Sequence, residues 1–280
     1  MLNNLFKSQA NMDKYLKQIT SGKKINRPSD NPVIAMKGIN YRTEVTESEQ
    51  YIRNTTEVWN WFDHSDDVLG KSTKAMQRME ELANQAANGT NTQDELNSIK
   101  KEVEQLKEQM IEMANTQVSG KYIFNGIDTD QKPIQDGKII TEAGREEMVK
   151  IEVSKGINMD VNVSPEGVFD QELFDHIDGF ITALEAGDDD ELNNSLGNLQ
   201  ESSSNIIQAR AELGARMNRL ELIEDRLENQ VVIVKDTMAK NEGVEFEEAV
   251  TNLLTQEVIH RAALSAGSKI IQPSLVDFLR

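Results

Sequence analysis

The chain contains no cysteine. That excludes disulfides, thiolate nucleophiles, Cys-ligated zinc and iron–sulfur clusters together. Proline occurs only five times in 280 residues, at Pro28, Pro32, Pro133, Pro165 and Pro273. Aromatic residues make up 5% of the chain, so Leu, Ile, Val, Met and Ala must do most of the packing. No apolar run is longer than four residues, the length of Val231–Val234, so no segment is predicted to span a membrane. The first residues hold no apolar stretch of signal-peptide length, and a cleaved Sec-type leader is not expected. Basic residues are outnumbered: 30 Lys and Arg face 48 Asp and Glu, for a formal net charge of −18. So acidic a chain is repelled by nucleic acid and by anionic lipid, and neither is expected as a partner.

The placement of the prolines divides the chain. Proline lacks the N–H and clashes with the preceding helical turn, so a long proline-free tract favours helix. Two such tracts lie between Pro32 and Pro133 and between Pro165 and Pro273. In the second, Leu192, Leu199, Ile206, Leu213, Leu220, Leu227 and Val234 recur every seven residues without a miss. The positions four later read Leu196, Ser203, Arg210, Met217, Glu224, Val231 and Met238, half of them apolar. This is a coiled-coil-like stripe with polar interruptions. Asp188, Asp189, Asp190 and Glu191 precede it, where carboxylates cap and favour a helix start. Gly197 and Gly214 lie within it and cost about 1 kcal/mol each relative to alanine. A helix from Leu192 to Met238 is roughly 70 Å long at about 1.5 Å per residue, which predicts an elongated molecule.

The first tract supplies packing partners. Asn31 and Pro32 read as cap and first helical residue. Tyr41, Val45, Ile52, Trp59, Phe62, Leu69, Met76 and Ala83 form the following stripe, broken at Asn88-Gly89-Thr90-Asn91. Thr92 with Glu95 is a capping box, and Leu96, Ile99, Val103, Leu106, Met110 and Met113 continue at three-four spacing. Between the tracts the period changes to two. Val149, Ile151 and Val153, then Ile157, Met159, Val161 and Val163, flank a Ser154-Lys155-Gly156 turn. Asp136-Gly137 between Ile134 and Ile139 marks a second hairpin. The predicted fold is mainly α: an elongated helical bundle with coiled-coil-like long helices and a small inserted antiparallel β domain. The domain reading is 1–42, N-terminal assembly segment; 43–119, first part of the bundle; 120–172, β insert; 173–240, second part of the bundle; 241–280, C-terminal assembly segment.

Both ends are amphipathic. Leu2, Leu5, Met12, Leu16 and Ile19 share a stripe with Phe6 beside it. The other end carries Val250, Leu254, Val258 and Leu264, then Leu275, Phe278 and Leu279. Burying six apolar side chains of residues 1–20 yields about 12 kcal/mol. Ordering 20 backbone residues costs roughly 20–40 kcal/mol before helical hydrogen bonds recover part of it. These thirteen residues are therefore candidates for an assembly interface, with the two ends pairing as helices when neighbouring subunits supply surface. Arg210, Arg216, Arg219 and Glu224, interleaved with other charges on the long helix, are candidates for inter-subunit registry, against a solvated ion-paired face.

No catalytic constellation emerges. Gly70-Lys71-Ser72 lacks the upstream glycine of a phosphate-binding loop and sits in a helical stripe. Asp128, Asp130 and Asp136 are interrupted by Lys132 and Pro133, which do not fit a calcium loop. His64, His176 and His260 have no second metal ligand at helical spacing. Trp59 and Phe62 fall on the core stripe, leaving Trp61 unassigned. No catalytic residue, cofactor or metal is expected.

The run Ile19-Thr20-Ser21-Gly22-Lys23-Lys24-Ile25-Asn26-Arg27-Pro28-Ser29-Asp30-Asn31-Pro32 resembles the N-terminal signature of the flagellin superfamily. Flagellins proper continue with Asp-Asp-Ala-Ala-Gly, whereas Arg-Pro-Ser-Asp-Asn-Pro is similar to the hook–filament junction branch, hook-associated protein 3. Residue 31 departs slightly, being Asn where that branch more often has Asp. Gly120–Gly126, Ala209–Glu221 and Gln272–Leu279 also match. The resemblance implies a structural subunit at the hook–filament junction of the bacterial flagellum. Its implied partners are other copies of itself, the hook-side junction protein, flagellin, and a cytoplasmic export chaperone at the C-terminal segment. It implies an extracellular location reached through the flagellar type III apparatus. A short flagellin and, from a different class, a non-flagellar coiled-coil binding module remain as alternatives.

Overall fold

The computed structural model describes residues 2–88, 91–135, 137–140 and 147–271. The elements are α1 (Leu2–Ser21), α2 (Pro32–Ala86), α3 (Gln93–Ala114), β1 (Gln117–Val118), β2 (Lys121–Tyr122), β3 (Ile134–Gln135), β4 (Lys138–Ile139), β5 (Lys150–Ser154), β6 (Ile157–Asp160), α4 (Gln171–Ala186), α5 (Asp189–Glu242) and α6 (Phe246–Ile271). The mainly helical architecture with small antiparallel strand pairs agrees with the expectation. Two compact units result: a terminal unit, Met1–Glu49 with Asn229–Arg280, and a central unit, Gln50–Glu228.

Side-chain chemistry sets the helix limits. Asn31 Oδ1 accepts the Val33 and Ile34 N–H groups at 3.1 and 3.2 Å, satisfying donors that the first turn of α2 leaves open, and Pro32 needs no partner there. Thr92 and Glu95 form the reciprocal capping box of α3. Asp188 Oδ1 accepts the Asp190 N–H at 2.9 Å to open α5. Asp170 caps α4, which ends at Gly187 with φ 67°, a conformation that a Cβ would strain. Residues Gly89 and Thr90 of the expected break lie outside the described part.

The central unit has a continuous apolar core. Leu192, Leu199, Ile206, Leu213, Leu220 and Leu227 of α5 are all 2% exposed or less. They join Leu96, Ile99, Val103, Met110 and Met113 of α3 and the apolar face of α4, from Leu173 to Leu184. Phe62, Phe124, Phe169, Phe174 and Phe180 are fully buried, so the few aromatics are concentrated here. The α2 stripe is wider than the sequence suggested. Val58, Trp61, Val68, Ala75, Met79 and Leu82 are buried beside Phe62, Leu69 and Met76. Trp61 is thus a core residue, because α2 is covered on more than one side.

The insert is not one sheet. β1–β2, β3–β4 and β5–β6 are three separate antiparallel pairs. The third is the expected hairpin, turning at Gly156 (φ 73°). The second turns at Gly137; Asp136 lies outside the described residues. Asn115 Nδ2, at the end of α3, ties the insert to the helices by donating to the Ile134 carbonyl at 2.9 Å, and further side-chain hydrogen bonds brace the insert internally. Asn162 accepts the Val149 N–H and donates to the Gly126 carbonyl, while Asn125 donates to the Asp128 and Gln131 carbonyls. Phe124 and Phe169 pack edge-to-face at 4.8 Å.

Leu213→Ala should lower unfolding stability by about 2–5 kcal/mol, because it opens a cavity in this core. Leu222→Ala, on the same helix but 71% exposed, should stay within about 0.5 kcal/mol of wild type. Chemical denaturation of both variants checks the pair; equal losses would refute the assigned facing of α5.

Candidate assembly interface

The terminal unit has almost no core. Among its described residues the buried apolar side chains are Val45, Val234 and Ala249. Yet it holds twelve of the sixteen exposed large apolar side chains among the described residues, Phe6, Met36, Phe246 and Val258 among them. The two units also differ in charge. Residues 50–228 carry 17 Lys and Arg against 36 Asp and Glu, while the terminal unit carries 13 against 12.

α1 packs on α6 within the single chain. Gly22 meets Val244 at one end, through an N–H···O bond of 3.0 Å, and Ser8 Oγ donates to the Gln256 carbonyl further along, at 3.3 Å. The two helices therefore run antiparallel. Their closest packing is polar or small: Ser8, Gln18 and Ala249 are buried, whereas Leu5, Met12, Ile19 and Val250 are only half-buried. Phe6 (66%), Leu16 (54%), Leu254, Val258 (67%) and Leu264 face solvent. The side chain of Leu2, and Leu275, Phe278 and Leu279, lie outside the described residues. The candidate set is thus split between an inner seam and an outer apolar surface.

A buried carboxylate holds this unit together. Glu242, with its side chain 5% exposed, receives Arg42 Nη2 at 2.5 Å on both oxygens and Lys23 Nζ at 3.1 Å. Its carbonyl accepts the Lys24 N–H at 2.7 Å. Asn241 Nδ2 donates to the Ile34 carbonyl at 3.1 Å, and Gln18 Nε2 to the Lys24 carbonyl. The ends of α1 and α5 and the first turns of α2 converge here. Gly38 faces the Glu242 carboxylate so closely that a Cβ would collide with it. The adjoining loop is self-braced: the Asn26 and Arg27 N–H groups donate to Asp30 Oδ2 at 3.1 and 2.9 Å, and these bonds hold the Asp30 carboxyl below its usual range. Sequence reading did not find this node. Isolated Glu and Arg residues 200 positions apart carry no local signal, although the Gly38 position inside a helix was visible.

The four registry candidates lie along α5 in the central unit and have partners in their own chain or none in common. Arg210 donates to Asp66 at 2.8 and 3.1 Å, and Arg216 to the Asn162 carbonyl at 3.1 Å. Glu224 accepts from Trp59 Nε1 at 2.7 Å, and Arg219 is exposed. Hydrogen bonding from Arg210 holds the Asp66 carboxyl below its usual range. His176 meets Ser202 Oγ at 2.9 Å, His64 is exposed, and His260 is half-buried on α6. Among the described residues no cluster of three or more His, Asp or Glu is placed to hold a metal ion, and no helix is long and apolar enough to cross a membrane.

Residues 1–129 match the bacterial flagellin N-terminal helical region, and residues 196–279 match the bacterial flagellin C-terminal helical region. Flagellar hook-associated protein 3 of Escherichia coli K12 is 25% identical over 92% of this chain and 90% of its own length. The flagellar filament 41 kDa core protein of Borreliella burgdorferi is 25% identical over 91% and 89%. Among solved structures, a flagellar hook-associated protein of Vibrio parahaemolyticus superposes with a TM-score of 0.70, at 22% identity, covering 76% of this chain and all of that one.

Glu242→Gln and Gly38→Ala should each loosen the terminal unit, raising amide exchange in α1 and α6 while leaving α3 and α4 protected. Uniform protection in both variants would show that the node is dispensable. For Asp66 the lowered carboxyl pKa means stability that is present above the unfolded value of about 3.9 and is lost as pH falls through the folded one. The stability gap between wild type and Asp66→Asn should therefore be visible at neutral pH and close as the pH falls below the unfolded value. Urea denaturation across that range reads it.

Proposed function

This chain belongs to the bacterial flagellin family, and we propose that it serves as the structural subunit joining the flagellar hook to the filament. Its relatives are structural flagellar proteins. One observation carries the reading: a helical unit that pairs both chain ends yet leaves twelve large apolar side chains among its described residues uncovered. Full burial of one such side chain stabilises by about 1.5–3 kcal/mol, so a dozen left in water represent a large driving force for association. An enzyme surface has no use for that arrangement, and a self-sufficient coiled-coil module would bury its seam.

The junction role is favoured over a filament role by the Arg27–Pro32 segment. Pro28 and Pro32 bracket the loop, Asp30 ties it, and Asn31 caps α2. In this reading residues 1–42 and 241–280 are the assembly segments. Residues 43–119 and 173–240 form the surrounding bundle, and 120–172 the insert. Leu5, Phe6, Met12, Leu16, Ile19, Val250, Leu254, Val258 and Leu264, with Leu2, Leu275, Phe278 and Leu279, make the contacts to other copies, to the hook-side junction protein and to flagellin. A cytoplasmic chaperone covers the C-terminal segment before export through the type III apparatus. The end-to-end match to a filament core protein keeps a short flagellin as the second reading.

Purified protein added to isolated hooks should form a limited terminal layer that then accepts flagellin. Open-ended growth into filaments would establish the second reading instead. A Leu254→Ser/Val258→Ser variant should keep its monomer stability within about 1 kcal/mol, since both sites are exposed, and lose hook capping. Normal capping by that variant would remove the outer face of α6 from the interface.

A further inference from the structure

Beside the Glu242 node lies a groove of about 380 Å³. Ile25, Pro28, Ala35 and Ile39 supply its apolar lining, and Lys23, Arg27 and Arg42 line it as well, together with Ser21, Asn26 and Glu242. Ile39 is 56% exposed, and the neighbouring Val33 and Met36 are exposed as well. Among the described residues of the terminal unit nothing covers these side chains. Lys23 is engaged with Glu242, whereas Arg27 is exposed, with the Asp30 carboxylate of its own loop as a charge neighbour.

We propose that this groove receives the segment Gln272–Leu279 of a second copy of the chain, with Phe278 on the apolar floor and Asp277 against Arg27. The inference rests on the assembly reading above and adds to it a specific pair of surfaces. The chemistry of the segment fits: Leu275, Val276, Phe278 and Leu279 surround a single carboxylate, Asp277. An apolar groove lined also by basic side chains recognises that pattern, because the ion pair orients the side chains that fill the floor.

Distance decides whose segment it is. α6 begins beside the node and runs away from it along α1 for 26 residues, about 39 Å at about 1.5 Å per residue. Phe278 lies seven residues past Ile271 and reaches back at most about 24 Å even when fully extended. The chain's own Phe278 therefore falls short of its own groove by about 15 Å. A neighbour can supply it only when the two copies are staggered along the α1–α6 axis by at least that distance. Such a contact is heterologous, one copy giving the segment and the next giving the groove, and it propagates from copy to copy without closing into a dimer.

The test places p-benzoylphenylalanine at position 278 of the full-length chain. Nitrogen-15-labelled and unlabelled chains are mixed, assembled on hooks and, in parallel, concentrated in free solution, then irradiated. Cross-linked peptides joining position 278 to residues 25–39 with one partner of each isotope are expected. Cross-links confined to one isotope, cross-links elsewhere, or none in either sample would overturn the proposal. Failure of hook capping with the free-solution cross-link intact would instead count against the junction reading alone. Ile39→Asp and Arg27→Glu, both on exposed sites, should each cut the cross-link yield about tenfold. Combining Arg27→Glu with Asp277→Lys should restore it, and no restoration would refute the assigned ion pair.

Discussion

Apolar side chains in the terminal unit outnumber the surfaces available to cover them, and that shortage governs how the protein behaves. In the central unit, α2, α3, α4 and α5 close around one core that reaches from Trp61 to Leu227. The terminal unit has a helix pair whose innermost residues are Ser8, Gln18 and Ala249. A seam of that composition contributes little hydrophobic stabilisation, so order there depends on the Glu242 node and its hydrogen bonds. A buried carboxylate is not cheap to form, but once formed it fixes geometry, because displacing the half-exposed Lys23 and Arg42 leaves Glu242, 5% exposed, without its partners. The outer apolar face is then presented in a defined direction.

This division explains why the signature loop has the sequence it does. Gly22 ends α1, Asp30 accepts two backbone N–H groups, Asn31 opens α2, and Gly38 makes room for the carboxylate. Each residue answers a local backbone or packing demand. Together they bring Lys23 and Arg42 onto Glu242. The long-helix charges play a different part. Arg210, Arg216 and Glu224 satisfy groups on α2 and the insert, so within one chain they fasten the bundle.

Much of the fold was legible because it is periodic or capped. The seven-residue repeat of α5, the α3 stripe, the Thr92–Glu95 box and the Gly156 hairpin are all local signals, and each is where it was expected. The facing of α2 was only partly legible. One stripe was visible, but Trp61, Val68 and Met79 are buried because helices cover α2 on several sides, which no single-helix pattern reveals. The insert was legible as small antiparallel hairpins, whereas alternation does not report that its strand pairs form three separate sheets. At the candidate interface the terminal apolar residues were legible as a set. Their division into a half-buried seam and a bare outer face was not, because Leu5 and Phe6 are adjacent in sequence and differ only in helical phase. The Glu242 node, built from groups far apart along the chain, left no local signal beyond a glycine, Gly38, within a helical tract.

The uneven charge has its own consequence. The central unit carries nearly all of the excess of carboxylates, while the terminal unit is almost balanced. Where copies associate, each central unit brings its excess of negative charge with it. Counter-ions have to accompany them, and at physiological ionic strength screening confines the repulsion to about 8 Å. Dilute electrolyte would extend it several-fold and spread neighbouring copies apart, so the tightness of packing in an assembly is set partly by the surrounding solution and not by the protein alone.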